Sequence, residues 1–287
     1  MKTFKLFAFI TLSTIISILF IFNQSCSTEN EPSSPPKRTI EEKTAFLEKT
    51  AIVGKEHNEN MDKILESLKD AKYSFNKDNV KDIAYSKTCT VLNIEEESNI
   101  LKSATNSYTL KDFFSVDKNF GHLFTNNRQK AIEEFHISEE LNILVLKLFE
   151  VCGQYTLPES EFNSKIKELE EEAFEVLTDN DLIIFLSGTS VACASHKYWS
   201  ENASLWYQTI TGEENITKST NPYDHWIMDG LVKCDVTGAI TGGIAGGLGG
   251  ILVGGVGAVP GAIGGALIGG CAGSVGAMLD NIWDRYF

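Results

Sequence analysis

From Thr39 to about Tyr207 apolar side chains recur three and four positions apart, the period of a helix with one buried face, and alternating β-branched runs are few. Phe46, Ile52, Val53, Met61, Ile64, Leu65 and Leu68 outline a long first helix, with Gly54 as its candidate break. Ser138-Glu-Glu opens another, whose face is Leu141, Leu144, Val145, Leu148, Phe149 and Cys152 and whose natural stop is Gly153. Pro158 starts a third that runs to about Leu177, and Thr178-Asp-Asn-Asp181 has the form of a capping box ahead of Leu182 to Leu186. The pattern predicts an all-α fold.

A different pattern closes the chain. Between Asp235 and Asp280 lie 44 residues without Asp, Glu, Lys, Arg, His, Asn or Gln, and 17 of the 23 glycines fall between Gly238 and Gly276. Gly238, Gly242, Gly246, Gly250 and Gly254 are spaced by four. After a step of three, so are Gly257, Gly261, Gly265, Gly269 and Gly273. Such spacing lays glycine along one stripe of a helix, where two backbones can approach closely. Each glycine costs roughly 1 kcal/mol relative to alanine in a helix, so an isolated soluble helix of this composition would be destabilised by on the order of 15 kcal/mol. The segment therefore needs a partner along its stripe or a bilayer around it. Pro260 divides it into two arms of about 20 residues, each about 30 Å long as a helix. The expectation is a helical hairpin placed in one of two settings, a membrane or the interior of a soluble fold.

Charge and the amino terminus add an address. With 25 basic against 39 acidic side chains the net charge is −14, which repels phosphate backbones and argues against nucleic-acid binding. Lys2 and Lys5 precede an uncharged run from Leu6 to Phe22, the layout of a secretory signal. The run ends in Ser25-Cys26, which resembles the lipobox of bacterial lipoproteins of the Bacteroidota type, with Asn23 where leucine is usual. That resemblance implies acylation of Cys26 and export to the outer membrane or cell surface. The Pro- and Ser-rich stretch that follows reads as a tether. The expected organisation is thus a signal and lipobox at 1–26, a tether at 27–38, a helical domain at 39–234 and a glycine-rich hairpin with a short tail at 235–287.

Candidate chemistry is thin. Gly188-Thr-Ser-Val-Ala192 resembles the serine-nucleophile segment of subtilisin-like proteases, but Ala194 stands where that family has proline and neither of its upstream His and Asp blocks is present. A serine without a base has no mechanism, so Ser190 is expected to be an ordinary helix residue. Cys193, His196, His225 and Cys234 match no compact zinc spacing. The glutamates from Glu159 to Glu175 lack the oxygen spacing of a calcium loop and read as a solvated helix face. Five cysteines besides Cys26 are too few and too scattered for a disulfide framework. No cofactor, metal or enzymatic activity is expected.

Tyr198, Trp199, Trp206, Tyr207, Tyr223 and Trp226 cluster within 29 residues, and Trp283 follows the hairpin. Trp199, Trp206, Trp226 and Trp283 are candidate interface aromatics, for stacking sugars or sitting at a lipid surface. The spacing of the glycines resembles the glycine-zipper segment of several envelope lipoproteins and the Gly-x-x-x-Gly membrane peptides of two-peptide bacteriocins. The resemblance implies a non-enzymatic cell-envelope lipoprotein whose partners are membrane lipid or a second copy of itself. The alternatives are a membrane-active, bacteriocin-like effector and a glycan- or peptide-binding module built on the tryptophans.

Overall fold

The computed structural model describes residues 37–71, 75–76, 78–95, 99–102, 107–115, 120–154, 156–213, 230–252 and 258–286. Cys26, Gly254, Gly257, Trp226 and His225 lie outside them, as do the signal and the tether up to residue 36.

The fold is all-α. Helix α1 (Ile40–Ala71) is opened by a reciprocal capping box, in which the Thr39 N–H donates to Glu42 at 2.8 Å and the Glu42 N–H to the Thr39 hydroxyl at 3.3 Å. It runs through Gly54 without a break. There the missing side chain makes room for α8, because a Cβ on Gly54 would lie 2.8 Å from the Ser190 carbonyl carbon. Ile52, expected on the apolar face, is instead exposed, and the buried line passes through Val53, His57, Met61, Ile64, Leu65 and Leu68.

Helix α2 (Val80–Leu92) ends at Asn93 in the left-handed conformation, and a two-stranded antiparallel ribbon, β1 (Asn99–Lys102) with β2 (Ser107–Thr109), leads into the short helices α3 (Leu110–Phe113), α4 (His122–Asn126) and α5 (Arg128–Phe135). Helix α6 (Glu139–Cys152) starts at the Ser138 cap and stops at Gly153. Helix α7 (Glu159–Val176) follows Pro158, and α8 (Asp179–Thr211) starts at the Thr178 cap and ends at Gly212 with φ of 74°. The starts at Ser138, Pro158 and Thr178 and the stop at Gly153 match the sequence pattern, the first and third through side-chain caps that accept from the N–H groups of Leu141 and Asp181.

Helices α9 (Leu231–Leu252) and α10 (Ala258–Tyr286) pack closely as an antiparallel hairpin. Residues 35–287 form one compact unit, so the hairpin shares a core with the helical part rather than standing beside it. The register of side-chain contacts gives the helix directions. Helix α1 lies parallel to α8, with Gly54 at Ser190 and Asn58 at Ala194. Helix α9 runs the other way along α8, with Ile240 at Gly188 and Asp235 at Ser195 and Trp199. Helix α10 again follows α1, with Ala266 in one cluster with Val53, and Ser274 at His57. The end of the hairpin where α9 stops and α10 starts therefore lies at the amino-terminal ends of α1 and α8.

Candidate functional site at the glycine hairpin

Six glycines form the seam between α9 and α10 in three reciprocal pairs. Gly238 faces Gly269, Gly242 faces Gly265 and Gly246 faces Gly261. A Cβ added to Gly238, Gly242 or Gly246 would stand 2.7, 2.8 or 2.7 Å from the partner's carbonyl carbon, and from the other side the values are 2.9, 2.8 and 3.0 Å. Carbon pairs normally rest about 3.5–4.0 Å apart, so alanine has no room at any of the six positions. Gly250 is also in α9, and Gly273 is buried in α10. Behind the seam, Val236, Ala239, Ile240, Ile244, Ala262 and Ala266 are buried in the core. Helix α10 is, among the described residues, the one helix long and apolar enough to cross a membrane, and most of its apolar stretch is buried within the fold.

The base of the hairpin is held by a polar cluster that sequence reasoning missed. Asp235, the last charge before the uncharged run, is fully buried. Its Oδ2 accepts a hydrogen bond from the Ser195 hydroxyl and another from the Trp199 indole N–H at 2.8 Å. His57 of α1, also fully buried, places Nε2 at 3.8 Å from the same oxygen and at 3.0 Å from the Ser274 hydroxyl of α10. The Asn58 amide nitrogen donates to the Ala194 carbonyl, so its Oδ1 faces the ring and His57 Nδ1 is the donor in that 3.0 Å contact. Burial pushes the Asp235 carboxyl above the usual carboxylate range, opposed by the His57 charge and by hydrogen bonds from Ser195, Ser274 and Trp199. The cluster thus ties α1, α8, α9 and α10 together at one level. Two sequence signals bear on it: His57 occupies an apolar-face position between Val53 and Met61, and Asp235 borders the glycine segment.

The tryptophans correct an expectation. Trp199 and Trp206, expected at an interface, are fully buried, because each indole N–H has an internal acceptor: Asp235 for Trp199 and the Tyr198 hydroxyl, at 3.0 Å, for Trp206. Trp283 is half-buried at the end of α10, with Lys81 Nζ 4.9 Å above its ring and Lys81 paired with Asp280 at 2.6 Å. Ser190 bridges backbones, accepting from the Gly54 N–H at 3.0 Å and donating to the Ala51 carbonyl at 3.3 Å. His196 stacks on Phe162 with ring centroids 4.2 Å apart, and burial raises the Cys193 thiol to about 12. Among the described residues no group of His, Cys, Asp and Glu side chains converges as a metal site, and none of the five described cysteines is in a disulfide. On the acidic helix α7, Glu171 and Glu175 pair with Lys43 and Glu172 with Lys147, while Glu170 accepts from the Thr189 hydroxyl at 2.6 Å and is raised by burial.

Arg38, expected in the tether, belongs to the fold. Its guanidinium donates to the carbonyls of Phe174 at 2.7 Å and Leu177 at 2.8 Å and to the Asp179 carboxylate at 2.8 Å, and its side chain is 3% exposed. It closes the exposed carbonyl end of α7 and the first turn of α8.

No known protein family matches the chain, and neither the curated proteins nor the solved structures contain a match.

Proposed function

We propose that the chain is a non-enzymatic cell-envelope lipoprotein, exported and acylated at Cys26, whose glycine-zipper hairpin is the packed centre of a helical body held at a membrane. The observation that carries the non-enzymatic part is the engagement of the chemically able side chains with one another. Ser190, Ser195, Ser274, His57 and Asp235 are tied into bonds between helices, and all but Ser190 are fully buried. A serine, histidine and carboxylate enclosed in this way support helix registry rather than turnover. The intrachain seam also argues against self-association through the stripe, since the six glycines already face one another within one molecule.

The lipoprotein part rests on the signal and Ser25-Cys26. Cell fractionation with and without an inhibitor of lipoprotein signal peptidase, on the native chain and on Cys26→Ala, tests it. The native chain is expected in the membrane fraction, with precursor accumulating under inhibitor. A Cys26→Ala chain that remains membrane-bound, with no precursor in either case, would refute acylation.

A membrane-active effector is the second reading, favoured by an apolar helix of bilayer length enclosed by helices that present charged faces to water. Against it stands the charge of the segment, in which Asp280 and Asp284 outnumber Arg285, where insertion into anionic lipid favours cations. Dye release from vesicles by the full chain separates the two. The glycan- or peptide-binding alternative needs Trp199, Trp206 and Trp226 exposed on one surface, and the burial of Trp199 and Trp206 removes two of the three.

A further inference from the structure

The end of the molecule at which α9 stops and α10 starts carries an apolar surface beside the point where the chain from Cys26 enters the fold. On α10, Pro260 is exposed and Ile263, Gly264 and Leu267 are half-buried. These positions lie at i, i+3, i+4 and i+7, one face of the helix. A Cβ on Gly264 would meet nothing within 4 Å, so this face has no protein partner there. Every side chain from Ala258 to Gly273 is uncharged, so the face holds no group that must stay in water. On α1, Ile52 is 46% exposed beside Val53, which packs in one cluster with Ile263 and Leu267.

The same end holds the entry of the chain. Arg38 is bonded to Asp179 in the first turn of α8, and the next residues of that turn, Asn180 and Asp181, line a cavity together with Leu248, Ala258, Val259 and Ala262 of the hairpin. Cys26 is twelve residues before Arg38. At full extension such a stretch reaches about 40 Å. Helix α8 has 33 residues, and a helix of that size is about 50 Å long. An acyl anchor on Cys26 therefore keeps the hairpin end within about 40 Å of the bilayer, whereas the far end near Leu205 is free to stand farther away.

We infer that the outer face of α10 at Pro260, Ile263, Gly264 and Leu267 is a lipid-contact surface, seated on the membrane to which Cys26 is anchored. This rests on the lipoprotein reading above and adds which face meets lipid. The net charge of −14 opposes anionic headgroups, so the lipid is a zwitterionic one, and the contact is apolar and shallow, with the seam between α9 and α10 left closed.

The test uses the full, acylated chain on phosphatidylcholine and phosphatidylethanolamine vesicles. A fluorophore is placed through Gly264→Cys or, at the far end, Leu205→Cys, in a background with Cys193→Ala and Cys234→Ala; Cys89, Cys152 and Cys271 are buried. Leu205 is 39% exposed and Gly264 has open space, so both sites accept the label. Bromine-bearing lipid is expected to quench the label at 264 severalfold more than the label at 205, on vesicles that float with the protein. Equal quenching at both sites, or quenching at 205 alone, overturns the inference while leaving the anchor intact. Self-quenching between labels at 264 that survives lipid dilution assigns the face to a second copy of the chain and also overturns it. Protein that fails to float overturns the anchored reading itself.

Discussion

Replacing a seam glycine and an open-face glycine by alanine makes two chemically identical changes that the structure separates. In Gly264→Ala the new methyl meets nothing within 4 Å, so the expected result is the intrinsic gain of about 1 kcal/mol for alanine over glycine in a helix. In Gly242→Ala the same gain applies, but the methyl stands 2.8 Å from the Gly265 carbonyl carbon and closer still to its oxygen. Restoring an ordinary separation of about 3.5–4.0 Å moves the helices apart by roughly 1 Å. Because both neighbours are rigid backbone, no rotamer change can absorb the shift, and overpacking of this kind costs about 3 kcal/mol at the upper end of the usual range. The net expectation is a loss of about 2 kcal/mol for Gly242→Ala, and so a gap of about 3 kcal/mol between the variants. At a urea dependence of about 3 kcal/mol per molar for a body of this size, the two midpoints differ by about 1 M. Gly243→Ala is the internal control within α9, since its methyl finds atoms at 3.4 to 3.7 Å, an ordinary contact. Equilibrium urea unfolding followed by tryptophan fluorescence measures all three. If Gly242→Ala unfolds at the same urea concentration as Gly264→Ala, the seam is not a backbone contact and the reasoning fails.

Asp235→Ala strands the Trp199 indole N–H and the Ser195 hydroxyl in the core, at about 1–3 kcal/mol per orphaned donor, whereas Asp235→Asn keeps an acceptor; the alanine variant is expected to lose at least twice the stability lost by the asparagine one in the same urea assay. Burial raises Asp235, Glu170 and Asp181, so the native chain holds these protons at pH values where the unfolded chain has released them. Their combined effect lowers stability as pH climbs from the ordinary carboxylate range through the raised values, and Asp235→Asn is expected to flatten that slope in urea midpoints measured across pH; an unchanged slope would remove Asp235 from the account. Arg38→Ala removes charged hydrogen bonds worth about 1.5–3 kcal/mol each at the high end and is expected to lower the urea midpoint more than Lys37→Ala, whose residue is exposed. Ser190 and Ser274 are expected to stay unlabelled by a fluorophosphonate probe in the folded protein, and labelling of either, read by peptide mass, would reopen a hydrolytic function.

Helix starts and stops were legible because their causes are local. Ser138, Gly153, Pro158 and Thr178 act on backbone groups one to four residues away, and the helices begin and end there. The hairpin was legible for a similar reason, since a period of four in glycine has meaning only along a helix with a close neighbour. Gly54 misled because a glycine inside an apolar pattern reads equally as a break or as room for another backbone, and only the approach of Ser190 decides between them. Ala266 lies off the glycine stripe and is buried all the same, because Val53 of α1 and Val191 of α8 pack in one cluster with it, a neighbourhood that spacing along the chain does not show.

Composition and spacing alone determined that the glycine segment could not stand in water as a free helix and that its stripe needed a partner. The choice of partner belonged to tertiary structure. An uncharged helix is equally satisfied by lipid or by the apolar faces of other helices, since both exclude water from its backbone, and the sequence of the hairpin is the same in either setting. What decides is outside it: Ser195 and Trp199 donate the hydrogen bonds that let the Asp235 carboxyl enter the core with the hairpin attached, and His57 stands 3.8 Å away. Such a cluster is invisible to any pattern of period two or four, because its members share a place only after α1, α8, α9 and α10 have packed.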